Sequence, residues 1–243
     1  MGLLSAALEP TTESAWMPSS PRRSAAWLSV SLAALTLVAA AVSGLLIVAS
    51  PTWSDAEVGL VGLVHGLHST AGDVVALAIN SAFGVGGAIL VSLIVLSWIL
   101  LATRSWQDTV RAGIVLVVPW ACVEALKLVV RRPRPDPAML QPMIVADPMS
   151  FSYPSGHTAF AAALCCAVVL VVLPRRTRAW SVPVAVLVVL VTAWSRVYLG
   201  VHYPTDVLAA AVVVPVVSIA TARAAAAWPL LAPRHVTAVN RIS

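Results

Sequence analysis

Long apolar runs alternate with short polar or proline-containing breaks along most of this chain. A helix needs roughly 20 apolar residues to cross about 30 Å of hydrocarbon. Six segments meet or approach that length: about 25–49, 82–102, 110–130, 157–173, 180–199 and 206–227. Alanine and valine dominate them. Lipid offers no hydrogen-bond partners, so backbone groups must be satisfied within each segment and each is expected to be helical. Residues 55–80 break the pattern: they are moderately apolar, yet carry Asp55, Glu57, His65, His68 and Asp73, with Gly at 59, 62, 66 and 72. One or two interfacial helices fit that mixture better than a seventh span. The expected fold is all-α, a polytopic membrane bundle of six transmembrane helices with an interfacial helix or helices between the first two spans.

Composition agrees. Of 243 residues, 60% are hydrophobic and 10% charged, with mean hydropathy +0.92; a soluble domain carries about 25% charged residues. A water-facing surface is excluded over most of the molecule. Residues 1–24, rich in Ser, Thr and Pro, read as a disordered cytoplasmic tail, 25–227 as one six-span domain, and 228–243 as a second cytoplasmic tail. No charged segment precedes the short apolar stretch after Met1, which argues against a cleaved signal peptide.

The net charge of +5 and pI of about 9.7 raise the question of nucleic acid. Nucleic-acid binders gather Lys and Arg on a soluble face, whereas here 14 of the 15 basic residues are Arg lying between apolar runs. No nucleic-acid partner is expected; topology accounts for most of these charges. With six spans, one side receives Arg22, Arg23, Arg104, Arg111, Arg175, Arg176, Arg178, Arg223, Arg234 and Arg241. The positive-inside bias makes that side cytoplasmic, giving a multi-pass cell-membrane protein with both termini inside. Cys122, Cys165 and Cys166 lie in apolar stretches without metal-ligand spacing and read as small core residues.

Five cations defy the bias: Lys127, Arg131, Arg132, Arg134 and Arg196. The first four fall within eight residues at the end of the third span, where helix-dipole capping explains one or two of them. Arg also offers a planar fork matched to phosphate oxygens, and Lys a compact charge. A second cluster, Pro154-Ser155-Gly156-His157, opens the fourth span. Ser155 is a natural cap, Gly156 permits close backbone approach, the first N–H groups of a helix cradle anions, and His157 is a candidate proton donor. A capped helix with an interfacial histidine is the plainer reading. The third cluster is Ser195-Arg196, then His202, then Asp206. A carboxylate can hold one imidazole nitrogen and leave the other to attack; a turn with a chance ion pair is the alternative. Pro204 disfavours helix at Tyr203, so His202 should precede the sixth span.

Two crossings separate each cluster from the next, so all three belong at one membrane face. Together, Lys127-x6-Arg134-Pro135, Pro154-Ser155-Gly156-His157 and Ser195-Arg196-x5-His202-x3-Asp206 resemble the full signature of the type 2 phosphatidic acid phosphatase superfamily. That superfamily includes lipid phosphate phosphatases, undecaprenyl-diphosphate and phosphatidylglycerophosphate phosphatases, and the soluble vanadium haloperoxidases. The resemblance covers roughly residues 55–227. It implies a phosphohistidine on His202, oriented by Asp206, with His157 as the acid and then the base. Lys127, Arg134, Ser155, Gly156 and Arg196 would bind the phosphate. Arg131 and Arg132 remain open between a second phosphate, lipid headgroups and capping.

No acidic cluster suits a metal, so neither metal nor cofactor is expected. Placement at span ends suits a lipid substrate: undecaprenyl or decaprenyl diphosphate fits the extra arginines, and phosphatidic acid or phosphatidylglycerophosphate fits nearly as well. A lipid phosphotransferase would use the same residues. A small anion transporter would need basic residues near mid-membrane, and a haloperoxidase is disfavoured by the membrane-embedded, short chain.

Overall fold

The computed structural model describes residues 21–145 and 150–231. Most of both expected tails, with Arg234 and Arg241, lies outside those residues. Among the described residues the chain is helical and without strands. The eight α-helices are α1 (Pro21–Val48), α2 (Pro51–His65), α3 (Thr70–Phe83), α4 (Val85–Thr103), α5 (Trp106–Val130), α6 (Gly156–Ala167), α7 (Arg178–Tyr198) and α8 (Pro204–Ala227). A π-helical turn, Val168–Val172, continues α6.

The helices α1, α4, α5, α7 and α8 are each long and apolar enough to cross a membrane. Gly156–Val172 is a shorter apolar helical stretch, about 25 Å at 1.5 Å per residue. These six match the six expected spans to within a few residues, although α1 begins at Pro21 rather than at residue 25. Residues 55–80 form two helices, α2 and α3, bent 118° apart. Neither is long enough to cross alone, and the pair has the length and composition of a broken span or a re-entrant loop rather than of a straight seventh span.

Local chemistry sets the breaks. Ser69, Ser105 and Ser155 accept backbone N–H bonds at the starts of α3, α5 and α6, satisfying otherwise orphaned donors. Pro204 opens α8, with Tyr203 extended before it. The centre of the bundle is α5, α6 and α8, with α1 lying along α8. Its core is built largely from small side chains, including Ala112, Val115, Ala159, Ala163, Ala210 and Val213. Close backbone approach through such residues is how helices associate where lipid competes for every apolar surface. Large apolar side chains such as Leu35, Ile94, Leu101 and Leu187 point outward, as a lipid-facing surface requires.

The fold has two chemically different ends. Near one, Arg223 of α8 donates to Ser29 Oγ of α1 at 2.5 Å. The α4–α5 turn with Arg104 and the α6–α7 connection with Arg175, Arg176 and Arg178 lie at that same end. At the other, the end of α5, the start of α6, the end of α7 and the start of α8 meet.

Candidate active site

His202 sits in the tight turn between α7 and α8, 1% exposed. Its Nδ1–H donates to Asp206 Oδ2 at 3.3 Å, and its Nε2 accepts from Arg134 Nη1 at 3.1 Å. These neighbours fix the tautomer, since a guanidinium only donates and a carboxylate only accepts. Asp206 lies in the first turn of α8, where Oδ2 also accepts the Tyr203 N–H at 2.9 Å. Burial first, then the charges of Arg134, Arg196, Lys127 and His157, hold the His202 pKa well below its usual 6.5. The imidazole is therefore neutral at neutral pH.

The other two clusters close around it. Ser155, fully buried, donates its N–H to the Asp206 carbonyl at 3.0 Å, pinning the start of α6 to α8. His157 Nε2–H donates to the Asn80 carbonyl at 3.2 Å, and Arg196 Nη1 donates to the Asn80 side-chain oxygen at 2.9 Å. One residue of α3 thus holds both. Lys127, at the end of α5, pairs with Glu124 at 2.9 Å. Its ammonium lies so near Gly156 that a Cβ there would come within 2.9 Å of Nζ, so the glycine is what lets the cation reach the start of α6. Arg134 is tied to the Ser150 and Val201 carbonyls at 2.8 and 2.6 Å.

The two open arginines separate. Arg131 is the left-handed C-cap of α5 (φ 52°), and its exposed side chain bonds back to the Leu128 carbonyl at 2.9 Å. Arg132 turns inward and is 1% exposed. It reaches Asp206 Oδ1 and Glu57 Oε2, both at 2.7 Å, and Thr205 Oγ1 at 2.8 Å. Its guanidinium also stacks over the Tyr203 ring, 3.8 Å from the centroid. A cation so enclosed is not placed to bind a second phosphate.

The sequence pattern does not single out Asn80, Glu124 or Thr205, and counts Glu57 only among the polar residues of 55–80. The signal for Glu57 was its charge inside an apolar segment, with a surplus of arginines as the only available partners. Among the described residues, no three His, Cys, Asp or Glu side chains converge in a metal-binding group. What converges is a set of N–H donors around a neutral, carboxylate-held imidazole, an arrangement matched to a tetrahedral anion.

The family model of the PAP2 superfamily matches residues 108–229, half of the chain. The undecaprenyl-diphosphatase BcrC of Bacillus subtilis is 30% identical over 152 residues, 62% of this chain and 74% of that protein. A decaprenylphosphoryl-5-phosphoribose phosphatase of Mycobacterium tuberculosis is 35% identical over 122 residues, 46% of this chain and 62% of that one. Its Mycolicibacterium smegmatis counterpart is 40% identical over 105 residues, 43% of this chain and 52% of that one. This chain thus spans less than two thirds of the mycobacterial relatives. The crystal structure of a transmembrane PAP2-type phosphatidylglycerolphosphate phosphatase from Bacillus subtilis shares the fold, with TM-score 0.63 at 21% identity over 76% of this chain and 94% of that one. All three sequence clusters, the helical fold and the family match lead to one statement: this chain belongs to the PAP2 superfamily.

Proposed function

We propose that this membrane protein hydrolyses phosphomonoester or diphosphate groups of lipid substrates through a phosphohistidine formed on His202. The observation that carries the proposal is the neutral His202, held at Nδ1 by Asp206 and bonded at Nε2 to Arg134.

In the first step Nε2 attacks phosphorus in line, forming the P–N bond as the P–O bond to the lipid breaks. Asp206 stabilises the imidazolium that results. With the bound phosphate offsetting the nearby cations, His157 takes up a proton at Nδ1 and gives it to the departing oxygen, while Nε2–H stays on the Asn80 carbonyl. The neutral ring then takes a proton from water at Nδ1 as that water attacks phosphorus and the P–N bond breaks. Lys127, Arg134 and Arg196, with Ser155 and the Gly156 N–H, hold the equatorial oxygens, where charge spreads in the transition state.

A lipid substrate is supported by placement. The site lies where four helices end. An apolar groove of about 390 Å³ runs between α1 and α8 past Ala40, Leu208 and Val212 to Tyr153 and Thr205, and Thr205 contacts Arg132. The positive-inside bias puts the site at the extracytoplasmic face. The name of the mycobacterial relatives adds decaprenylphosphoryl-5-phosphoribose to a substrate panel of undecaprenyl and decaprenyl diphosphate, phosphatidic acid and phosphatidylglycerophosphate.

The test is phosphate release from that panel by purified protein in detergent with chelator present. His202→Ala should lose essentially all turnover. Wild-type-like turnover in that variant would sink the nucleophile assignment, and abolition of the wild-type rate by chelator would sink metal independence.

A further inference from the structure

Both oxygens of the Asp206 carboxylate are engaged. Oδ2 takes His202 and the Tyr203 N–H; Oδ1 takes Arg132. Arg132 spreads its fork between Asp206 and Thr205 through Nη1 and Glu57 through Nη2. Glu57 comes from α2 and does more than balance charge: Oε1 accepts the Thr205 N–H and Oε2 the Thr205 hydroxyl, each at 2.8 Å. It therefore caps the start of α8, the helix that carries Asp206. Trp53 Nε1 holds the same carboxylate at 3.1 Å. Both terminal nitrogens of Arg132 and both oxygens of Glu57 are thus spent on protein partners, so neither is placed to meet substrate.

We propose that Arg132 and Glu57 are a positioning pair that fixes, through Asp206, the orientation and charge balance of His202, making α2 a working part of the site. This rests on the reading of His202 as the nucleophile. A buried ion pair retained for stability alone is a poor explanation, because well-packed apolar replacements are often as stable. Fixing both oxygens of one carboxylate is what such a pair achieves and an apolar patch does not. Misplacing an attacking group by about 1 Å costs up to about a hundredfold in rate.

The charged and titratable groups facing His202 are Lys127 from α5, Arg134 from the following loop, His157 from α6, Arg196 from α7 and Asp206 from α8. All remain when the pair is altered, so the variants report on the pair itself. Arg132→Gln removes a cation behind Asp206, which favours the imidazolium and should move the acid limb of kcat/KM to higher pH. Glu57→Gln removes an anion and should move it to lower pH. Each should lower kcat by about tenfold to a hundredfold with KM within about twofold, because ground-state binding is untouched. Arg132→Lys keeps the charge and should keep the limb in place while losing part of the rate.

The experiment uses full-length protein in detergent and whichever panel lipid the wild type hydrolyses, with His202→Ala beside the pair. If His202→Ala is inactive while Glu57→Gln and Arg132→Gln keep wild-type kcat and acid limb, the positioning role is wrong. Loss of rate with both limbs unmoved, or moved the same way, equally overturns it. Activity in His202→Ala brings down the functional reading instead. Should Arg132→Gln fail to fold, Glu57→Gln and Arg132→Lys decide between the same outcomes.

Discussion

At the scale of single residues, His202 shows how burial and neighbouring cations cooperate to keep an imidazole neutral, as the proposed nucleophile must be. Because its folded pKa lies below the usual 6.5, the unfolded chain binds more protons than the folded one between those two values. Stability should therefore rise with pH across that window and fall as pH drops below about 6.5. Thermal unfolding in detergent should show this slope in the wild type and a flatter one in His202→Gln; equal slopes would contradict it. The paired residues His202 and Asp206 were legible because their spacing and the proline between them are local. Arg132 was not, since its partners Glu57 and Asp206 lie 75 and 74 positions away. Charge surplus could be counted in the sequence, but not which cation turned inward.

At the scale of helices, the start of α6 concentrates several demands in three residues. Ser155 caps, Gly156 admits the Lys127 ammonium, and His157 reaches Asn80. Gly156 has ordinary helical geometry, so Ala there should fold, changing stability by less than about 1 kcal/mol. Its methyl group would displace the ammonium, and turnover should fall by about tenfold to a hundredfold. Comparing melting temperature with kcat for Gly156→Ala checks this; parallel losses would mean the glycine serves packing instead. The spans themselves were readable because lipid leaves helix as the one arrangement for long apolar runs. The 118° turn between α2 and α3 was not, because a mixed segment with four glycines is compatible with one helix or two. Asn80 was not legible for a related reason: it lies in the same mixed segment, and its two bonds reach α6 and α7, far along the chain.

At the scale of the whole molecule, the arginines divide into two populations. Arg104, Arg175, Arg176, Arg178 and Arg223 gather at one end, while at the other Arg134 and Arg196, with Lys127, close around His202 and Arg132 backs Asp206. A tag in the loop near Arg176 should be inaccessible from outside intact cells, and labelling there would invert the proposed orientation. That all three clusters share one end could be foreseen by counting crossings, since an even number separates them. How closely they approach could not, because contact depends on the small core side chains that bring α5, α6 and α8 together. One of those contacts bears on the idle enzyme. The lone pair of His202 Nε2, which attacks in the proposed mechanism, is already occupied by the Arg134 guanidinium, a contact that would latch the nitrogen between turnovers. An arriving phosphoryl oxygen, being charged, would outcompete a neutral ring for that donor and so release the nitrogen. Diethyl pyrocarbonate, an electrophile for imidazoles, should then modify His202 more slowly in the resting protein than in Arg134→Gln. In the proposed mechanism this contact would slow the attack of His202 on stray electrophiles while leaving it available to a phosphorylated substrate.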